Sequence, residues 1–230
     1  MKIVIVYIYP LDGQEGFDLK ANRFIDSYLR NPPGLAHDTV IVCNGGPAYY
    51  AVEHRFSYLP NVQLLENNNR GKDIGGYLAA AKKVPADLMV FFGACSYFRK
   101  PEWLVPVLRS YFRKGNTLYG ATSHPGEGNH IHPHIRTTGF WLKPELLTQY
   151  CPDGIDNDRR YELEHGQTCL TNWFRNHGMT PWVVTYGGEY RVEQSREIPN
   201  GYHNGDQSNV LFGDRLTEPP NHDDPLAIVS

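Results

Sequence analysis

The sequence lacks a surplus of positive charge, a cysteine framework and any long apolar run. Its 230 residues include 22 Lys and Arg against 25 Asp and Glu, which gives a net charge of −3. Because the basic residues are scattered, nothing indicates a nucleic-acid partner. No segment approaches the roughly 20 apolar residues of a membrane-spanning helix. The four cysteines form no Cys-x-x-Cys pair, so we expect free thiols in a reducing compartment rather than disulfides.

The first apolar run, residues 3–11, resembles a targeting segment only superficially. It is short, has no small-residue cleavage site and contains the β-favouring sequence Val-Ile-Val-Tyr-Ile-Tyr. We therefore interpret it as the first strand of the core, and the expected location of the protein is the cytoplasm.

Short apolar segments alternate with helical patterns through the first 120 residues. Strands are expected at residues 2–9, 37–43, 62–66, 88–92 and 117–121, and helices at residues 18–30, 48–57, 74–83 and 103–114. This alternation predicts an α/β fold: one Rossmann-like domain with a mostly parallel central sheet and helices on both faces. The domain is expected to span residues 1–217, followed by a polar tail at residues 218–230.

The second half of the chain has a less regular pattern. A loop rich in Gly and His precedes a predicted strand at residues 135–142 and a short helix at residues 144–150. One helix is expected at residues 161–177, ended by Gly178, and a further strand at residues 181–186.

The asparagine- and glycine-rich loop at residues 66–77 is the most informative segment. It leads from a predicted strand into a helix, and that helix leads into the buried strand at residues 88–92. In nucleotide-dependent α/β proteins, ligands lie at such strand-to-helix corners, where glycines let the backbone approach the ligand. The loop therefore predicts a nucleotide-binding site.

Six further features occur in a characteristic order. They are the strand at residues 2–9, Arg23-Phe-Ile-Asp-Ser-Tyr28 with Asn31-Pro-Pro-Gly34, Val42-Cys-Asn-Gly45, Asn69-Arg-Gly-Lys-Asp-Ile-Gly75, the strand at residues 88–92 with Pro101-Glu-Trp-Leu104, and His134-Ile-Arg-Thr-Thr-Gly-Phe-Trp-Leu142. Over residues 2–186 the chain thus resembles the GT-A glycosyltransferase superfamily, in particular bacterial and viral polysaccharide-building transferases related to rhamnan-synthesis proteins. The resemblance implies a GT-A-like domain that transfers a sugar from a nucleoside-diphosphate donor to a glycan or lipid-linked acceptor.

The resemblance also implies where the donor binds. The predicted donor-binding residues lie after successive strands and in the late loop 201–206: Tyr9, Pro10, Asn44, Arg70, Lys72, Asp73, Cys95 and His203. The Asp73 carboxylate would accept hydrogen bonds from ribose or base, and Arg70 or Lys72 would lie near phosphate. A structural alternative is that Asp73 caps a helix beginning at Ile74.

The chain departs from the superfamily at the end of the strand 88–92. Most GT-A enzymes hold Mg²⁺ or Mn²⁺ there with Asp-x-Asp, but this chain has Gly93-Ala94-Cys95, and a thiol is a poor ligand for Mg²⁺. Three explanations remain open. The enzyme is metal-independent, with positive charge from Arg99, Lys100 or His203; a metal binds through other residues, such as His130, His132, His134 or Asp206; or the site is degenerate. We assign no metal ligand.

Inverting sugar transfer needs a base that deprotonates the acceptor hydroxyl. In inverting members of the superfamily an acidic residue lies at the head of a helix comparable to residues 161–177. The resemblance therefore implies Glu164 as the base, with Glu162 as the second choice. The structural alternative is that these glutamates only complement the helix dipole.

The segment resembling residues 134–142 lies beside the transfer site in the superfamily, so we expect His134, Arg136 and Thr137 to bind the acceptor. Alternating histidines at positions 130, 132 and 134 also permit a metal site, although the neighbouring proline and glycines indicate a loop.

Two other functions remain as alternatives. One is a catalytically inactive GT-A-like module that binds a nucleotide or a glycan. The other is a nucleotidyltransferase, but such enzymes usually have a basic glycine-rich loop after the first strand, and residues 10–16 contain no Arg or Lys.

Overall fold

The structure is a computed structural model that describes residues 1–11, 16–48, 50–126, 132–157 and 159–217. The tail expected at residues 218–230 lies outside these ranges. Within them, no helix has the length and apolar character needed to cross a membrane.

Strands and helices alternate through the first half, as the sequence predicts. The strands are β1 (Ile3–Pro10), β2 (Asp38–Asn44), β3 (Val62–Asn67), β4 (Leu88–Phe92), β5 (Tyr97–Phe98), β6 (Tyr119–Gly120), β7 (Ser123–His124), β8 (His134–Ile135), β9 (Gly139–Leu142), β10 (Trp182–Val184), β11 (Glu189–Arg191) and β12 (Phe212–Gly213). The α-helices are α1 (Phe17–Arg30), α2 (Tyr50–Phe56), α3 (Lys72–Lys83), α4 (Leu104–Lys114), α5 (Pro144–Tyr150), α6 (Arg160–His165) and α7 (Leu170–Asn176).

Eight of the described strands form one central sheet in the order β11-β10-β6-β9-β4-β1-β2-β3. Strands β1 to β4 pair in parallel, and β6 pairs in parallel with β10, whereas β9 is antiparallel to β4 and β6. The first three strands extend the sheet in one direction, and β4 then returns to the other side of β1. This reversal creates a crevice at the carboxyl ends of β1 and β4, which is where open α/β sheets bind ligands.

Helices cover both faces of the sheet, so β1 is buried on both sides. Tyr7 belongs to the cluster formed with α1, α2 and α4, and stacks on Phe24 with ring centroids 4.0 Å apart. Val6 belongs to the opposite cluster, which contains Leu78 of α3. Burying each such side chain contributes about 1.5–3 kcal/mol, so these clusters fix the sheet between its helices. The expected α/β class, with a mostly parallel sheet, is confirmed.

The helix predicted at residues 161–177 was wrong: α6 and α7 are separate. Gly166 follows α6 with φ −76° and ψ −176°, which leaves the helical region. A Cβ built there would lie 2.0 Å from Cδ of Glu162, so the Glu162 carboxylate occupies the space beside the break. That carboxylate accepts hydrogen bonds from the Thr168 amide (3.2 Å) and hydroxyl (3.1 Å).

The single strand predicted at residues 135–142 was also wrong. Residues 136–138 form a turn between β8, which pairs with β7, and β9, which enters the central sheet. Because β9 runs antiparallel to β4, this turn lies beside the carboxyl end of β4.

Candidate functional site

A cavity of about 410 Å³ lies at the crevice between the ends of β1 and β4. Pro10 closes β1 on one side, and the turn before β9 contributes Thr137 and Thr138 on the other. The charged side chains that line the cavity are Lys72, Asp73, Arg160, Glu164 and Arg215. Five charged groups around one cavity, three cationic and two anionic, suit a polar ligand that carries negative charge.

The turn at the end of β4 is tied to the turn before β9. The Gly93 amide donates to the Thr138 carbonyl (3.3 Å), and the Ser96 hydroxyl donates to the same oxygen (2.6 Å). Tyr7 donates from beneath to the Ala94 carbonyl (2.8 Å). These hydrogen bonds hold the floor of the cavity in place.

The carboxylate nearest the end of β4 comes from a helix rather than from the strand. A Cβ built on Gly93 would lie 3.3 Å from Oδ2 of Asp73 and 3.4 Å from the Tyr77 hydroxyl. Glycine at this position thus leaves room for Asp73 of α3, and the Tyr77 hydroxyl donates to the Thr137 carbonyl (2.9 Å).

The start of α3 has unusual backbone geometry. Asn69, Gly71 and Lys72 all have positive φ, at 61°, 75° and 51°. Left-handed geometry is strained for a lysine, and such strain is concentrated at functional sites. Gly71 also meets Ile155, whose Cγ2 would lie 2.3 Å from an added Cβ.

The helix-cap interpretation of Asp73 was wrong. Helix α3 begins at Lys72, Gly71 occupies the cap position, and Asp73 lies inside the first turn without a capping role. Its carboxylate instead lines the cavity. Burial and the charge of Glu164 raise the pKa of Asp73 to about 6, opposed by the charges of Arg160 and Lys72.

Glu164 of α6 also lines the cavity, but its environment acts in the opposite direction. Burial alone would raise its pKa, yet hydrogen bonds from His165 and Thr137 and the charge of Arg136 lower it. The Thr137 hydroxyl donates to Oε1, and His165 Nε2 lies 3.3 Å from Oε2. The surroundings therefore favour the ionised form of Glu164 and the protonated form of Asp73.

The C-terminal part of the described chain completes the site. Asp214 is buried, and its Oδ2 lies 2.7 Å from the Thr138 hydroxyl and 3.0 Å from Nη2 of Arg136. The following residue, Arg215, lines the cavity. Arg136 therefore holds the segment after β12 in place, and it lies within the electrostatic range of Glu164.

Four of the residues predicted to bind the donor or to act in catalysis line the cavity: Pro10, Lys72, Asp73 and Glu164. Thr137, expected to bind the acceptor, lines it as well. All five line the same cavity, so the residues predicted to bind the donor and the acceptor lie close together there.

Five predicted donor residues lie outside the cavity lining, and Tyr9, Asn44 and Arg70 are three of them. The Tyr9 hydroxyl donates to Asp18, and burial followed by this hydrogen bond raises the Tyr9 pKa to about 12. Asn44 is fully buried, and its amide joins the Lys72 carbonyl (3.1 Å) to Asn67 (2.5 Å). Asn44 thus supports the start of α3 from below. Arg70 is exposed outside the cavity lining.

The remaining predicted residues occupy neighbouring positions. Cys95 is half-buried, and burial raises the pKa of its thiol, with Asp73 and Lys20 in electrostatic range. His203 Nε2 lies 2.7 Å from the Ser123 carbonyl. Glu162 faces Thr168 rather than the cavity.

His134 is buried, with Nδ1 2.9 Å from the His132 carbonyl and Nε2 2.9 Å from His165 Nδ1. It therefore acts on the site through His165 and offers no nitrogen to an acceptor or a metal.

Asp73 and Glu164 are the two carboxylates that line the cavity. Among the residues that the structure describes, no group of three or more His, Cys, Asp or Glu side chains is arranged to hold a metal. The Glu164 oxygens face Thr137 and His165, and Asp214 is paired with Arg136. Asp206 is exposed and accepts from the Ser208 amide (2.9 Å). His130 lies outside the described residues.

Sequence reasoning missed Arg160, Arg215 and Asp214. It nominated Arg99 and Lys100 as cations, but neither lines the cavity, and Lys100 donates to the Ser208 carbonyl (2.6 Å). Residues 160 and 215 meet only through the tertiary fold, and no local pattern connects them. A second cavity, of about 360 Å³, lies between α1 and α2 around Asn22 and His54, away from the strand ends.

Comparison with solved structures finds proteins with a similar fold. A candidate glucose-1-phosphate thymidylyltransferase from Bacillus anthracis, in complex with sucrose, superposes with a TM-score of 0.53 at 10% identity over 79% of this chain and 87% of that one. TarS 1-349 of S. aureus, a GT-A glycosyltransferase, superposes with a TM-score of 0.50 at 10% identity over 75% of this chain. The chain has a GT-A-like fold.

The same fold occurs in a synthetase of CMP-2-keto-3-deoxy-manno-octonic acid complexed with CTP, with a TM-score of 0.52 at 11% identity over 79% of this chain and 88% of that one. The chain spans 56% of the TarS 1-349 fragment and 30% of a longer TarS structure. No family profile matches the sequence. No curated protein matches it. At these identities the shared property is the fold.

Proposed function

We propose that this GT-A-like protein is a glycosyltransferase that moves a sugar from a nucleoside-diphosphate donor to a hydroxyl of a glycan or lipid-linked acceptor. The supporting observation is one cavity, at the switch point of the sheet, that contains an ionised carboxylate and two arginines. Transfer needs a proton acceptor for the attacking hydroxyl and positive charge for the leaving diphosphate. Glu164 suits the first requirement, and Arg160 with Arg215 suits the second.

In the proposed step, Glu164 takes the proton of the acceptor hydroxyl as its oxygen bonds to C1 of the donor sugar. The bond between C1 and the diphosphate oxygen breaks with its electron pair, and the negative charge remains on the nucleoside diphosphate. Arg160 and Arg215 would offset that charge without a metal, because guanidinium groups bind phosphate oxygens in pairs. Attack from the face opposite the leaving group inverts the anomeric configuration.

Calorimetric titration with UDP, GDP, dTDP and CDP, each with Mn²⁺ and with EDTA, tests the donor site. We expect one nucleotide to bind equally well in both conditions. Binding that requires Mn²⁺ would contradict metal independence. No binding to any of the four, with no donor hydrolysis, would contradict the transferase proposal and favour a module without activity. Release of pyrophosphate from a nucleoside triphosphate and a sugar phosphate would indicate a nucleotidyltransferase instead.

Glu164→Gln tests the base. Removing general-base catalysis should lower kcat by about 10²–10⁴-fold and leave donor affinity unchanged. Glu162→Gln keeps an oxygen that accepts the Thr168 hydrogen bonds and lies outside the cavity lining, so it should leave kcat nearly unchanged. A larger fall in kcat for Glu162→Gln than for Glu164→Gln would contradict the assignment.

A further inference from the structure

Two hydrogen bonds and one ion-pair contact lead from a backbone carbonyl to the cavity. The His132 carbonyl lies 2.9 Å from Nδ1 of His134, and His134 Nε2 lies 2.9 Å from Nδ1 of His165. His165 Nε2 in turn lies 3.3 Å from Oε2 of Glu164. The Glu164 carboxylate, at the end of this chain, lines the cavity.

The carbonyl at the far end fixes the direction of every hydrogen bond. A carbonyl only accepts, so His134 must carry its proton on Nδ1. If His134 is neutral, its Nε2 accepts a proton from His165 Nδ1. If His165 were neutral as well, its Nε2 would be a bare acceptor facing the Glu164 carboxylate, and the two lone pairs would repel.

A proton count gives the same result. The two hydrogen bonds and the ion-pair contact each need one proton between their partners, but two neutral imidazoles supply only two of these three protons. The group formed by His134, His165 and Glu164 therefore holds one additional proton, and the charge of the carboxylate balances it.

The additional proton belongs on His165. His134 is 1% exposed and stacks on His124, with ring centroids 5.2 Å apart, so a charge there would be poorly solvated. His165 is half-buried and directly contacts the Glu164 carboxylate, which stabilises an imidazolium.

We infer that His134, held by the His132 carbonyl, is a positioning residue that stabilises His165 as an imidazolium. The positive charge of His165 in turn stabilises the ionised form of Glu164 in the cavity. The catalytic consequence rests on the proposed function, since it matters for transfer only if Glu164 is the base. The protonation pattern itself is a property of the folded protein and is testable without turnover.

The charges around Glu164 set its pH dependence together with His165. Arg136 also favours its ionised form, and Thr137 donates to it. Asp73, on α3, opposes ionisation of its neighbour Glu164, because the two carboxylates interact. Tyr161 packs against the outer side of His165, with ring centroids 5.0 Å apart. Lys72, Arg160 and Arg215 share the cavity with Glu164, so the imidazolium is one of several cations near this carboxylate.

Nitrogen-15 NMR of the histidines in the unmodified protein tests the inference directly. At pH 7.5 we expect His165 to be protonated on both nitrogens and His134 on Nδ1 alone. A neutral His165, or a His134 protonated only on Nε2, would overturn the inference. Neither result depends on whether the protein transfers sugar.

His134→Leu and His134→Gln form a matched pair. Leucine removes the acceptor for His165 Nδ1, which frees His165 to become neutral with its proton on Nε2. The acid limb of the kcat/KM profile should then move to higher pH by about one unit or more, the effect of losing an adjacent opposite charge. Glutamine provides an oxygen in place of Nε2 and should restore both the doubly protonated His165 and the original limb.

A lower but unshifted profile for His134→Leu, with His165 still doubly protonated, would overturn the relay and indicate a purely structural histidine. If His165 is doubly protonated but the protein shows no transfer with any donor, the relay stands and the proposed function fails.

Discussion

Replacing Asp73 with asparagine should stabilise the protein at neutral pH. Burial and the charge of Glu164 raise the Asp73 pKa from its ordinary value of 3.8 to about 6. The folded protein therefore binds this proton more tightly than the unfolded chain, and stability falls as the pH rises through that interval. A pKa shift of about two units lowers the free energy of unfolding by about 3 kcal/mol above pH 7 and by almost nothing below pH 4.

The measurement is urea unfolding of both proteins at pH 4, 6 and 8. With a slope of about 3 kcal/mol per M, the midpoint of Asp73→Asn should exceed the wild-type midpoint by about 1 M at pH 8 and coincide with it at pH 4. Asp26→Asn, an exposed carboxylate of α1 outside the cavity, controls for the general effect of the substitution. A difference of equal size at pH 4 and pH 8, or an Asp73→Asn protein that is less stable at pH 8, would refute the reasoning.

Other substitutions test the cations and the backbone. Arg160→Ala and Arg215→Ala should each weaken nucleoside-diphosphate binding by about tenfold or more, measured by calorimetry, because each removes a charged hydrogen bond to phosphate; an unchanged affinity would remove that arginine from the site. Gly71→Ala should lower the thermal midpoint more than Gly115→Ala. Both glycines have φ near 75–79°, but only a Cβ at position 71 would clash with Ile155, whose Cγ2 would lie 2.3 Å away. Equal losses would show that backbone strain alone decides.

The first half of the fold was predictable because local pattern and tertiary role agree there. Continuous apolar runs such as β1 and β4 are buried on both faces, which is what such runs indicate. Beyond β6 the pattern predicted α5 and β10 correctly but failed in two segments. The apolar spacing through residues 161–177 did not indicate the break at Gly166. The Glu162 carboxylate occupies the space beside that break. Likewise, nothing in residues 135–142 signalled that Thr137 and Thr138 form a turn.

The candidate site was predictable in part, for a related reason. Lys72 and Asp73 lie where the loop after β3 enters α3, which local sequence indicated, and the resemblance suggested Glu164. Arg215 was not predictable, because the pairing of Asp214 with Arg136 and Thr138 brings it to the cavity from a segment without periodicity. The hydrogen bonds of His134 to His132 and His165 likewise depend on how β8 packs against α6.

The antiparallel pairing of β4 with β9 joins two separate parts of the chain at the cavity. Pro10, Lys72 and Asp73 line the cavity from the part before Ser96, and Thr137, Arg160, Glu164 and Arg215 line it from the part after Pro133. The seam between the two parts ends at the pair Phe92 and Gly139. If the proposed function holds, Arg160 and Arg215 contact the diphosphate that all these donors share, so variation of the other residues after the seam can change which hydroxyl is glycosylated while the nucleotide preference persists. Related chains would then diverge in acceptor far faster than in nucleotide, and swapping the segments after the seam would exchange acceptors.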